Sequence, residues 1–145
     1  MAKREIVNHL DREFASLIDS LKDLVRSVPA DLLYRNPPAV SIGGNILRSA
    51  AAIEQTCGGL TANLWDDPFE WTLPETLSNA ERITEYLSEV DLARQRAFSS
   101  IADDSALSKY ISGPSGEPRL LISLLRETLM RASDYRKSVL QDFHD

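Results

Sequence analysis

Residues 5–28 read EIVNHLDREFASLIDSLKDLVRSV, and this stretch decides the fold class. Ile6, Leu10, Phe14, Leu17, Leu21, Leu24, Val25 and Val28 recur at spacings of three and four, which draws one apolar stripe along a helix. Arg4, Asp11, Arg12, Asp19, Lys22, Asp23 and Arg26 occupy the other face, and Pro29 stops the pattern. A long helix with a single apolar stripe must bury it against something, so its partners are sought along the rest of the chain.

Asp31-Leu32-Leu33-Tyr34 allows a short helical turn before Asn36-Pro37-Pro38 forbids helix. Ser41 is a good N-cap for a second helix, about Ile42 to Asn63. Its buried stripe is Ile42, Ile46, Ser49, Ile53, Cys57 and Leu60, and Ala50, Ala51 and Ala52 let a neighbour approach closely. Gly43-Gly44 and Gly58-Gly59 weaken the helix by roughly 1 kcal/mol per glycine, so frayed or bent ends are expected. Leu64 to Glu75, with Trp65, Pro68, Phe69, Trp71 and Pro74, reads as an ordered crossing loop.

Ser78-Asn79-Ala80-Glu81 reads as a capping box opening a third helix that continues to about Ile101. Its inward residues are Ile83, Tyr86, Leu87, Val90, Ala93, Ala97 and Ile101, and Asp103-Asp104-Ser105 breaks it. Ser112-Gly113-Pro114-Ser115-Gly116 is a turn signal, and Pro118 suits the first position of a fourth helix reaching about Gln141. Leu121, Leu125, Thr128, Ala132, Tyr135 and Val139 share one face of it. No strand-like alternation of useful length appears. The expectation is an all-α, antiparallel four-helix bundle of up-and-down order, one domain over residues 1–145.

Composition excludes several function classes. The chain carries a formal charge of −6 with acidic and basic residues mixed, a surface that repels phosphate backbones and argues against nucleic-acid binding. No run approaches the roughly 18 apolar residues needed to span a bilayer. Met1-Ala2-Lys3-Arg4-Glu5 leads straight into the first helix without an apolar leader, and Cys57 is the single cysteine. These features point to a soluble, cytoplasmic protein without disulfides or a membrane partner.

The residues for metal chemistry are also missing. The two histidines, His9 and His144, stand near opposite ends, and there is neither a Glu-x-x-His nor a cysteine pair. Neither a metal nor another cofactor is therefore expected. Ser41-Ile42-Gly43-Gly44-Asn45 resembles a glycine-rich turn, but no strand precedes it and no phosphate-loop pattern follows. Cys57, on the apolar stripe and far from histidine, reads as a packing residue. On the fourth helix Glu127, Arg131 and Asp134 stand three and four residues apart, a spacing that suits intrahelical ion pairs.

The layout of helices resembles the DinB-like family of four-helix bundle proteins over nearly the whole chain. Two stretches carry the resemblance: Pro37-Pro38 followed by Ser41-Ile42-Gly43-Gly44-Asn45-Ile46-Leu47-Arg48, and Arg131-Ala132-Ser133-Asp134-Tyr135-Arg136. In the family the first segment ends in a metal-binding histidine, and the second supplies two more, four residues apart. Here Arg48, Arg131 and Tyr135 stand at those three positions. Arginine keeps its proton and offers no lone pair to a cation. The resemblance thus implies the fold but not the family's nickel- or zinc-type site, nor its thiol-transferase activity.

Two functions follow as expectations. Two guanidinium groups and a phenol suit a small anionic ligand such as a carboxylate, bound noncatalytically by Arg48, Arg131 and Tyr135. The second is association, as a homodimer or with another protein, with the aromatic Trp65, Phe69 and Trp71 as candidate anchors; the resemblance points to the same dimerisation. A third possibility is a metal-independent transferase or hydrolase using Cys57, Tyr135 or Asp134, although no spacing unites nucleophile, base and oxyanion donor.

Overall fold

A computed structural model describes residues 3–35, 41–67 and 77–144, with the backbone alone in residues 140–144. The chain forms α1 (Glu5–Ser27), a single turn α2 (Ala30–Leu33), α3 (Ile42–Ala62), α4 (Ala80–Ser99) and α5 (Leu121–His144). A 3-10 turn at Asp104–Ser108 and two short antiparallel strands, β1 (Tyr110–Ser112) and β2 (Pro118–Leu120), join α4 to α5. No helix among the described residues is long and apolar enough to cross a membrane.

The residue content of α3 dictates its place. It carries Arg48 and Glu54 as its only charges, and Ala50, Ala51, Ala52 and most of its glycines are buried together with Ile42, Ile46, Leu47 and Ile53. A helix apolar nearly all round belongs in the middle. Accordingly α3 packs along both α4 and α5, while α4 packs also along α1. The α1–α4 seam is filled by Phe14 and Phe98, whose tilted rings lie 5.4 Å apart. Residues on the solvent side of α1 are mostly charged.

Hydrogen bonds at the helix ends fix their directions. Arg4 donates to the carbonyls of Phe98 and Ala102, each at 3.1 Å, and to that of Ile101. The Asp104 carboxylate accepts from the amides of Ile6 at 3.2 Å and Val7 at 2.9 Å. The start of α1 therefore lies at the end of α4. At the other end, the Tyr34 hydroxyl donates to the Leu77 carbonyl at 2.6 Å, just before α4. The Tyr34 ring packs so closely on Gly43 that a Cβ there would sit 2.7 Å from it. Tyr34 thus gathers the starts of α3 and α4 at one end, and its burial pushes its phenol up to about 12.

It follows that α3 and α4 run in the same direction, with α1 and α5 opposed to them. The Ser49 hydroxyl donates to the Ala132 carbonyl at 2.7 Å and Thr56 meets Thr128 at 2.6 Å, which sets α5 antiparallel to α3. The up-and-down order expected from the sequence does not hold between α3 and α4. A helix the length of α3 rises roughly 30 Å, and residues 63–79 have ample reach to return the chain along it.

Several local expectations shift as well. Ser41 caps α3 as expected, accepting from the Gly44 amide at 2.8 Å. At α4 the cap is Asn79 rather than Ser78, accepting from Arg82 at 2.9 Å. Pro118 does not open α5. It pairs with Ser112 in the hairpin, whose turn is closed by Gly113 donating to Glu117 at 2.7 Å. In α1 the buried residue of the first turn is Val7, while Ile6 is 49% exposed. The helix stays regular through Gly58-Gly59, where Gly59 accommodates the indole of Trp65.

Candidate functional site

Arg48 and Gln55 stand two turns apart on α3, with Ala52 between them. Arg131 and Tyr135 stand one turn apart on α5. Where these faces meet they line a cleft of about 130 Å³, completed by Asp67 from the segment after α3. The three positions singled out from the sequence are thus brought together, and Gln55 and Asp67 join them. Gln55 was legible only as one more polar residue on α3, and Asp67 only as part of the connection.

The walls of the cleft are held rigidly. Beneath it, the buried bonds from Ser49 to Ala132 and between Thr56 and Thr128 pin α3 to α5. The Gln55 amide is oriented from both sides: its nitrogen donates to the Trp65 carbonyl at 2.8 Å, and its oxygen lies 3.4 Å from an Arg131 nitrogen. The Arg48 guanidinium carbon stands 5.9 Å from the centre of the Tyr135 ring, within cation–π range. Chain reversal at the end of α3 brings Asp67 in. Asn63 adopts the left-handed conformation, with φ of 55°, and its side chain accepts from the Trp65 indole at 3.0 Å.

Two guanidinium groups against one carboxylate leave the lining positive. Guanidinium forks donate in a plane and match the two oxygens of a carboxylate. A volume near 130 Å³ holds only a few non-hydrogen atoms, since one water occupies about 30 Å³ in the liquid. The Glu127–Arg131 ion pair that the spacing suggested does not form. Glu127 is held instead by Arg119 of β2, which leaves the Arg131 side chain on the Gln55 side.

The groups considered for catalysis lie apart. Cys57 is buried in the core, and burial pushes its thiol up to about 12 despite the nearby Arg94. Asp134 is exposed on α5. Tyr135 alone lines the cleft. A second polar cluster ties α1, α3 and α4: Arg94 pairs with Asp91 at 2.9 Å and with Asp11, and Tyr86 donates to Glu54. Burial raises the Glu54 carboxyl against the pull of that bond. Burial works to raise the carboxyl of Asp91 too, but the bond and charge of Arg94, the Gln95 amide and the Lys22 charge together outweigh it and hold it below the usual range.

Among the described residues no three histidine, cysteine, aspartate or glutamate side chains converge as metal ligands would. Of the aromatic residues considered as dimer anchors, Trp65 folds back onto α3 at Gly59, while Phe69 and Trp71 lie outside the described residues. No protein-family model, curated protein or solved structure matches the chain.

Proposed function

We propose that this protein is a DinB-like four-helix bundle in which the cleft between α3 and α5 binds a small carboxylate-type anion without catalysing its conversion. The observation that carries the reading is the convergence of Arg48, Arg131 and Tyr135, with Gln55, on one cleft of about 130 Å³. Residues from two helices supply donors around a space of the right size, and buried hydrogen bonds between α3 and α5 hold those helices together beside it. Where a metal-binding relative would place imidazoles, guanidinium groups reverse the charge preference from cation to anion.

Calorimetric titration of the full chain with acetate, succinate and inorganic phosphate tests the reading. Saturable heat is expected with a carboxylate. It should weaken by roughly tenfold or more in Arg131→Gln, the order of effect of one lost charge-assisted hydrogen bond. Silence with all three anions would refute it. So would a stoichiometric divalent cation in purified protein that disappears with the same substitution.

A further inference from the structure

Beside its apolar stripe, α1 carries a polar one: Arg12, Ser16 and Ser20 recur at spacings of four. On α5, Ser133 and Arg136 stand three apart. These two faces line a cleft of about 430 Å³, with Leu17 and Leu129 as its apolar patches. The cleft lies on a loosely packed seam, since α1 packs mainly on α4, and α5 on α3. Serines at positions where larger apolar side chains would close a helix–helix seam leave it open.

The polar groups in this cleft are disposed for an oxygen-rich ligand. The Arg136 Nε is buried in the wall and has no hydrogen-bond acceptor among the described residues. A guanidinium donates and cannot accept, so its complement is an anionic oxygen. Arg12 adds a second positive charge from the facing helix. The Glu13 carboxylate, also in the lining, is engaged by His9 at 3.2 Å. Ser20 gives its hydroxyl hydrogen to the Leu17 carbonyl at 2.7 Å, which leaves its oxygen free to accept. Ser16 and Ser133 supply two more hydroxyls.

We infer that the α1–α5 cleft is a second binding site, for a small hydroxylated phosphomonoester, with Arg136 and Arg12 on the phosphate and the serines on the hydroxyl groups. The space is about three times that of the α3–α5 cleft (430 against 130 Å³) and suits more than a bare carboxylate. A phosphomonoester is close to a dianion at neutral pH, and its three terminal oxygens can take donors from guanidinium groups on two helices at once.

The test is calorimetry of the full chain with glycerol 3-phosphate, run beside inorganic phosphate and glycerol. Glycerol 3-phosphate should bind saturably, phosphate roughly tenfold more weakly, and glycerol not at all. Arg136→Gln should weaken binding by roughly tenfold or more. Ser133→Leu should fill the seam and abolish binding while thermal stability holds or rises, which keeps the test decisive if the arginine variant folds poorly. Arg131→Gln, at the α3–α5 cleft, should leave the affinity unchanged and so separates the two sites. The inference is overturned if glycerol 3-phosphate shows no saturable binding up to about 10 mM. It is equally overturned if phosphate binds as tightly, if binding survives Ser133→Leu, or if Arg131→Gln weakens it as much as Arg136→Gln does.

Discussion

The hydroxyl of Thr56 donates to that of Thr128 across 2.6 Å, and the direction is set by Thr128 itself. Thr128 gives its own hydrogen to the Leu124 carbonyl at 2.9 Å, so it can only accept from Thr56. Both side chains are buried between α3 and α5, at 2% and 1% exposure, where water cannot replace a lost partner. Thr128→Val strands a buried donor and should destabilise by about 1–3 kcal/mol. Thr56→Val strands only an acceptor lone pair and should destabilise less. The double variant should fall well short of the sum, as a urea-denaturation cycle would show.

Asp104 caps α1 from far along the chain, accepting from Ile6 and Val7 where α1 has no side-chain cap of its own. Asp104→Ala should therefore act as loss of an N-cap, about 1 kcal/mol, and lower the melting temperature by roughly 2–6 °C. Asp104→Asn should recover much of this. Hydrogen exchange should show the first turn of α1 opening earlier in the alanine variant.

Gly59→Ala sets two effects against each other. Alanine favours the helix interior by about 1 kcal/mol, but its Cβ would overlap the Trp65 indole. Overpacking of this kind typically takes back about 1–3 kcal/mol, so net destabilisation is expected. In a Trp71→Phe background the remaining indole should also shift its emission to the red as it leaves the helix.

Alkaline pH should loosen the protein through Cys57. The fold prefers the protonated thiol, whose pKa is about 12, against roughly 8.5 in an unfolded chain. Its contribution is full below about 8.5 and is lost as pH rises from there toward 12. Tyr34, also pushed to about 12, adds to the loss above roughly pH 10. Cys57→Ala should flatten the first part of this decline. At pH 8 the native thiol should resist a disulfide reagent that modifies it rapidly in urea.

The helices were legible because each carries apolar residues at regular spacing, and α1 ends within a residue of the proline-based expectation. The grouping of Arg48 with Arg131 and Tyr135 comes from the resemblance to the DinB-like family, since spacing alone puts only 131 and 135 on one face. What the sequence hid was long-range. Nothing near Asp104 says that it caps a helix starting about a hundred residues earlier, and nothing in a long connection says whether the next helix runs with or against the last. The strands β1 and β2 are three residues each, too short for alternation to register beside the turn signal. The α1–α5 cleft escaped notice because Arg12, Ser16 and Ser20 look like any solvated face until α5 is placed opposite them.

The clasp of Arg4 and Asp104 also bears on synthesis. During synthesis α1 emerges well before its aromatic partner Phe98 and its cap Asp104, so it cannot dock until those residues have followed. At about 5–20 residues per second, its greasy side waits several seconds without a native cover. During that interval the nascent chain should be a client for holdase chaperones, and slowing translation before residue 104 should raise its aggregation.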